Sequence, residues 1–259
     1  MSSTDINEPD RMPPHAPLSD YYSDEAARGR WLRRVFDSSA GDYDRIEALM
    51  SLGSGPWYRR QALQRAGLRA GMRVLDVGTG TGLTAIEAAR LTGGGANITG
   101  VDPSTGMLAH AKLPPGMRVI EGRAEQLPAA DTSFDFITMG FALRHVSDLR
   151  LVFGEFHRVL RPGGRVCLLE ITRPSRAGAT RWLRLYLRYV VPALALLFGR
   201  SRELPQLMRY YWDSIEACVP PQCVMEAMRS AGFEDVQRHV ELGIFSEYVA
   251  VKRADTAGV

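Results

Sequence analysis

Two spacings of apolar residues divide the chain. From Tyr21 to Leu68 they recur at helical intervals, as at Trp31, Leu32, Val35 and Phe36 and again at Ile46, Leu49 and Met50, which predicts a helical N-terminal cover. Short apolar runs of strand length follow at Arg73–Val77, Asn97–Val101, Met117–Glu121, Phe134–Met139 and Arg165–Ile171, with helical patterns between them such as Leu83 to Leu91 and Leu149 to Leu160. Such alternation predicts an α/β fold with a doubly wound, mostly parallel sheet. Arg161-Pro162-Gly163-Gly164 should close the last of these helices, since proline stops it and glycine supplies unusual φ. Beyond it, Cys223 to Ala231 reads as a helix ending at Gly232, and Asp235–Glu241 with Phe245–Lys252 as an antiparallel edge hairpin.

Residues 175–219 interrupt this alternation as a helical insertion. Arg181, Arg184 and Arg188 stand three and four apart and predict a cationic helix face. The apolar run Tyr189 to Phe198 is ten residues long, too short to span a bilayer, and Pro192 should kink or break it. Two readings stay open: a buried helix covering the active site, or a lid whose residues 181–200 also lean on a membrane surface. Met1 to Pro17 is acidic, polar and proline-rich, predicting a disordered leader over 1–20 and no secretory signal. Residues 21–259 should then form one domain.

Composition narrows the setting. A chain of 259 residues with 45% apolar and 24% charged residues suits one globular domain. A net charge of +3 gives no argument for nucleic acid. The three cysteines, Cys167, Cys218 and Cys223, lack CxxC spacing, so neither a disulfide frame nor a metal site is expected, and a cytoplasmic, reducing compartment is.

The chemistry concentrates at Arg73 to Leu83. A short strand runs into Gly78-Thr79-Gly80-Thr81-Gly82, a helical pattern starts at once, and the next strand delivers Asp102. Glycines let a ligand approach the backbone, and the acid can accept from ribose hydroxyls, so a nucleoside-binding site is expected. A dinucleotide loop would need glycine at position 83, which is Leu. A nicotinamide oxidoreductase is thereby disfavoured. The G-x-G-x-G form preceded by Asp76 resembles the first motif of class I S-adenosylmethionine methyltransferases.

Further segments resemble one family within that class, the UbiE-type C-methyltransferases of ubiquinone and menaquinone biosynthesis. They are Val35-Phe36-Asp37 with Tyr43-Asp44, Leu49-Met50-Ser51, Ala124-Glu125-Gln126-Leu127-Pro128, Phe134-Asp135, Phe141-Ala142-Leu143-Arg144, Val159 to Gly164, Glu170 and Ala231-Gly232-Phe233. The resemblance covers about Val35 to Lys252 and implies a Rossmann-like, seven-stranded sheet and S-adenosylmethionine as cofactor. It implies that Gly78, Gly80 and Gly82 make room for the methionine end, Thr81 bonds to it, Asp102 holds the ribose, Arg123 and Ala124 flank the adenine, and Tyr43 closes over the cofactor. The chain departs from the family's usual residues at Thr79, Arg123, Gly140 and His145.

Methyl transfer from a sulfonium requires an in-line nucleophile and the exclusion of water. A ring carbon becomes nucleophilic when a neighbouring hydroxyl loses its proton, so the site needs a base or a cation beside the phenolate. Arg144 is the candidate cation and His145 the candidate base, although successive residues usually point apart. Asp148 reads as a helix cap for Leu149, and Glu170 as either a pocket acid or a support. The expected acceptor is an apolar aromatic small molecule, a quinol or phenol. An O- or N-methyltransferase of another metabolite or a phospholipid is the alternative, and a non-catalytic cofactor-binding scaffold is a third.

Overall fold

The computed structural model describes residues 11–254. Its N-terminal cover is α1, Glu25–Met50, and α2, Gly55–Arg65. Asp24 caps α1 by accepting from the amide of Ala27 at 2.7 Å, satisfying one of the helix's unpaired N–H groups. Then come β1 (Val74–Val77), α3 (Leu83–Thr92), β2 (Ile98–Asp102), α4 (Thr105–Ala109), β3 (Arg118–Glu121), β4 (Phe134–Gly140), α5 (Leu149–Val159) and β5 (Leu160–Ile171). The insertion supplies α6 (Ala177–Leu185), α7 (Val191–Phe198) and α8 (Leu204–Ala217), and the chain closes with α9 (Pro221–Ser230), β6 (Phe233–Glu241) and β7 (Phe245–Lys252).

The seven strands lie in the order β3-β2-β1-β4-β5-β7-β6. Pairs among the first five are parallel, and β7 runs antiparallel to both β5 and β6. Every residue of β1 and β2 is buried, as a parallel sheet covered on both faces requires. On one face α5 and α9 pack through Val152, Phe153, Phe156 and Met228; on the other, α2 and α3 bury Leu63, Ala85 and Ala88. The chain leaves β1 toward β2 and later returns to β4 on its other side. That reversal opens a crevice at the carboxyl ends of β1 and β4, where open α/β sheets bind ligands.

A third core joins the cover to the insertion. Trp31, Val35 and Ile46 of α1 pack against Tyr210, Tyr211 and Trp212 of α8 and Leu187, Val191 and Ala195 of the preceding helices. The insertion therefore covers α1.

Four expectations change. Pro192 neither breaks nor kinks its helix sharply. A π-turn, Tyr186–Val190, precedes it, and Val190 and Val191 keep right-handed helical angles, so the wider turn makes room for the ring next to the carbonyl it would otherwise strike. The arginine face is not free: Arg184 bonds to Glu216 and Arg188 to Asp213, both on α8, while Arg181 is exposed. Pro162-Gly163-Gly164 lies within β5, after α5 has ended at Val159, and the register shifts between Phe134 and Phe136. The leader expected over 1–20 is a packed strap over 12–16: Leu149 N donates to Met12 O at 2.9 Å, Val219 N donates to Pro14 O at 2.8 Å, and His15 is buried. Residues 1–10 lie outside the described residues.

Candidate active site

The glycine loop is fixed by contacts that exclude side chains. Gly78 has φ +67°, and a Cβ there would stand 2.7 Å from that of Ala142, so only glycine fits. Its amide donates to Val101 O at 2.8 Å, pinning the loop to β2. Gly140 is similarly constrained: a Cβ would lie 2.4 Å from Thr84 Oγ1, which accounts for one departure from the family pattern. Asp76, buried behind the loop, accepts from Thr79 Oγ1 at 2.6 Å, and burial pushes its carboxyl up to about 7.

Asp102 joins loop to strand. One oxygen accepts from the amide of Gly80 and the other from that of Ser104, each at 2.8 Å. A carboxylate offers about four lone-pair positions, so acceptor capacity remains for two hydroxyls. Burial raises its pKa to about 6, more than the two amides lower it. A ligand that donates to this carboxylate needs it ionised. Cofactor affinity should therefore rise with pH through about 6 and level off above, and titration calorimetry from acid to neutral pH measures this. Asp102→Asn, which cannot titrate, should flatten that slope.

Helix α1 holds the same loop from above. Thr81 Oγ1 donates to Asp44 at 2.5 Å, and Lys112 Nζ lies 3.0 Å from Asp44. Asp37 accepts from Ser104 Oγ at 2.5 Å and from Gly106 N at 2.9 Å. The Thr81 hydroxyl, expected on the cofactor, is thus engaged within the chain.

Between these elements lies a cavity of about 1140 Å³. Of the expected cofactor residues, Tyr43, Gly78, Gly80, Thr81, Asp102, Arg123 and Ala124 line it. Gly82 does not: it takes the left-handed N-cap position of α3. Arg123 is exposed, with Nε 3.3 Å from Glu125. Glu125 in turn accepts from Ser147 N at 2.6 Å and Ser147 Oγ at 2.7 Å, tying the loop after β3 to that after β4. Phe36, His145 and Tyr211, whose rings lie against one another, also line it, as does Phe141.

The two candidate catalytic residues part company. Arg144 is absent from the wall. It is 2% exposed, donates to Glu170 at 2.6 Å and to Ser214 Oγ at 3.2 Å, and lies 5.0 Å from the ring centre of Tyr211. Burial alone would lower its pKa, but Glu170 raises it, so the cation persists. Arg144 packs behind Tyr211, whose hydroxyl donates to that of Tyr43 at 2.7 Å. Glu170 resolves as the support of this arrangement and also accepts from Leu143 N at 2.8 Å. Asp148 caps α5, as expected, through the amide of Arg150 at 2.8 Å.

His145 faces the cavity. Its ring stands 5.3 Å from Phe36 and 6.0 Å from Tyr211, and Nδ1 is 3.4 Å from the Tyr210 hydroxyl, while Nε2 has no partner. Burial first, then the charges of Arg144 and Arg28, hold its pKa well below 6.5. The imidazole is neutral at physiological pH and able to accept a proton. Sequence reasoning missed Asp37, Asp44 and Tyr211. The first two lay within quoted motifs, Val35-Phe36-Asp37 and Tyr43-Asp44, but no local pattern showed that α1 would reach the loop.

S-adenosylmethionine suits these walls, which pair a glycine cradle and a hydroxyl-accepting carboxylate on one side with aromatic rings on the other. The profile of the ubiE/COQ5 methyltransferase family matches residues 24–252. Demethylmenaquinone methyltransferase of Staphylococcus aureus (strain MRSA252) is 34% identical over 70% of this chain and 77% of its own length. That of Geobacillus kaustophilus (strain HTA426) is 32% identical over 86% and 97%. A SAM-dependent methyltransferase from Thermotoga maritima shares the fold, with a TM-score of 0.60 at 23% identity, over 86% of this chain and 100% of that one. The chain belongs to the ubiE/COQ5 methyltransferase family, and its cofactor is S-adenosylmethionine.

Proposed function

We propose that this methyltransferase places a methyl group on a ring carbon of a quinol-type apolar aromatic, as its relatives' name, demethylmenaquinone methyltransferase, suggests. The observation that carries the reading is His145: a neutral, buried imidazole with an unpartnered Nε2 in a wall of aromatic rings. S-adenosylmethionine supplies an activated methyl on a cationic sulfur. Asp102 accepts from the ribose hydroxyls, Gly78 and Gly80 leave space for the methionine end, and Arg123 and Ala124 border the adenine. Tyr43 covers the site, and Phe36 and Tyr211 bracket the acceptor ring and exclude water. His145 takes the hydroxyl proton, which raises the electron density of the ring. Arg144 is a positioning residue that holds Tyr211. A methyl-labelled assay against quinols, phenols and lipids, with mass spectrometry of the products, tests the reading. Methyl on ring carbon is expected; methyl on oxygen or nitrogen alone overturns it.

The insertion supports peripheral membrane contact during delivery of an apolar acceptor. Among the described residues no helix is long and apolar enough to cross a membrane. Yet Trp182, Leu185, Tyr189, Leu196, Leu197 and Phe198 are exposed along α6, the π-turn and α7, with Arg176, Arg181, Arg200 and Arg202 exposed around them. Apolar side chains flanked by cations suit an anionic bilayer surface. The protein should float with anionic liposomes, and Trp182→Asp with Leu197→Asp should leave it in the lower fraction. Equal flotation of the variant would remove this surface as the contact.

A further inference from the structure

The cavity opens along the first turns of α1. Ala26, Gly29, Arg30 and Arg33, spaced as one face of that helix, line it and are all exposed, as is Arg11 just ahead of the strap. A Cβ on Gly29 would meet nothing within 4 Å, so the gap between these residues is clear. Phe36 follows Arg33 by about one helical turn and lines the same cavity. An aromatic acceptor seated against Phe36 is therefore one turn inside the opening.

Charge at this opening is one-sided. Arg11, Arg30 and Arg33 take part in no ion pair among the described residues. The acids of the same wall are engaged within the chain: Glu25 with Arg28, Asp37 with Ser104 and Gly106, and Asp148 as the cap of α5. Cations gathered without partners create a positive potential that draws an anion to them.

These cations do not converge on a point. Arg30, Arg34, Ser38 and Asp42 recur every fourth residue, a row about 18 Å long at about 1.5 Å per residue. The far half of the row holds the end of α7 and the turn after it. Glu203 lies 3.3 Å from Arg34 Nε and accepts from Ser38 Oγ at 2.8 Å, while Asp42 accepts from the amides of Arg200 and Ser201 at 2.5 and 3.0 Å. Leu196, Leu197 and Phe198 are exposed there, with Arg200 and Arg202 exposed beside them. A single phosphate would call for a convergent pocket. A line of arginines that ends at exposed apolar side chains suits an extended anionic surface with an apolar interior, which is a bilayer.

We propose that the cavity opens onto the membrane: the arginine row that starts at Arg30 and Arg33 docks on anionic headgroups while the end of α7 dips among the acyl chains, so that an apolar acceptor enters without crossing water. This rests on the peripheral contact proposed above and adds the direction in which the enzyme faces and a second element, α1, that sets it.

Two pairs of substitutions with the same change of charge test the direction. Arg30→Gln with Arg33→Gln removes the cations at the opening. Arg69→Gln with Arg118→Gln removes two exposed arginines near the amino ends of β1 and β3, away from the opening. Vesicles of phosphatidylcholine and phosphatidylglycerol in equal parts serve as the probe. The first pair should weaken partition about 25-fold, at about 5-fold per arginine, and the second should leave it unchanged. Both should keep the melting temperature of the unaltered protein, since all four side chains are exposed. Equal losses for the two pairs would reduce the effect to net charge and overturn the inference, as would no loss for the first. In either case the peripheral contact itself would stand. Should the unaltered protein bind polyglutamate and neither these vesicles nor phosphatidylcholine alone, the row would belong to an acidic protein and the membrane reading would fail with it.

Discussion

His145→Ala should lower turnover about 10²-fold or more, the usual contribution of a positioned base, while cofactor affinity stays as it was. The imidazole lines the cavity beside Phe36 and Tyr211 and donates no bond that holds the glycine loop. Its removal takes away a proton acceptor and leaves Asp102, Gly80 and Ser104 bonded as before. The pH profile supplies a second reading. A base whose pKa is held well below 6.5 by burial and by Arg144 is unprotonated throughout the neutral range. At saturating cofactor, which removes the separate acid effect of Asp102 on binding, the unaltered enzyme should therefore keep a flat rate there and lose it only on the acid side, and the alanine variant should lack that limb. Undiminished turnover in the variant would end the proposed role.

Arg144→Ala should cost the folded state about 3–5 kcal/mol, the range for removing one partner of a buried ion pair. Glu170, 6% exposed beside the cation, would lose the guanidinium 2.6 Å away. For a chain of this length each kcal/mol lowers the melting temperature by about 2–4 °C, so scanning calorimetry should find a fall of roughly 6–20 °C. The loss should shrink as pH falls. An unpaired buried glutamate has a raised pKa, binds a proton in the folded state before the unfolded one, and so recovers stability as acid is added. Arg144→Met with Glu170→Leu should restore most of it, because well-packed apolar residues can replace a buried pair. A melting temperature unmoved by Arg144→Ala would mean that the pair is not closed in solution. Turnover should fall as well, through the loosening of Tyr211.

The parts visible in the sequence are those whose chemistry is local. Gly78 to Gly82, Leu83 and Asp102 announce a nucleoside site because backbone room and an acid at the next strand end are written within one β-α-β stretch. The centre of the sheet was legible for the same reason, since β1 and β2 are continuous buried runs. Arg144 and His145 were legible as a pair but not in their division of labour. A short 3₁₀ turn, Leu143–His145, sends one side chain inward and the other to the cavity, and sequence spacing does not give that direction. Asp37 and Asp44 escaped because they sit on a helix whose apolar periodicity reports only which face is buried. What a polar residue on such a face meets depends on a partner far along the chain, as Asp37 meets Ser104. The proline at 192 escaped because a wider helical turn before it is a tertiary accommodation, made while Leu187 and Val191 pack onto α1.

The strap at 12–16 bears on how this protein should be handled. It supplies acceptors to the amides of Leu149 and Val219, and His15 Nε2 lies 3.1 Å from the carbonyl oxygen of Arg144. A shortened version starting at Leu18 would strip the first turn of α5 and the entry to α9 of these bonds and unseat the very backbone that carries His145. Trimming the front end to help crystals grow would then yield an enzyme impaired for reasons unrelated to its chemistry. Purification handles belong ahead of Arg11 or at the other terminus.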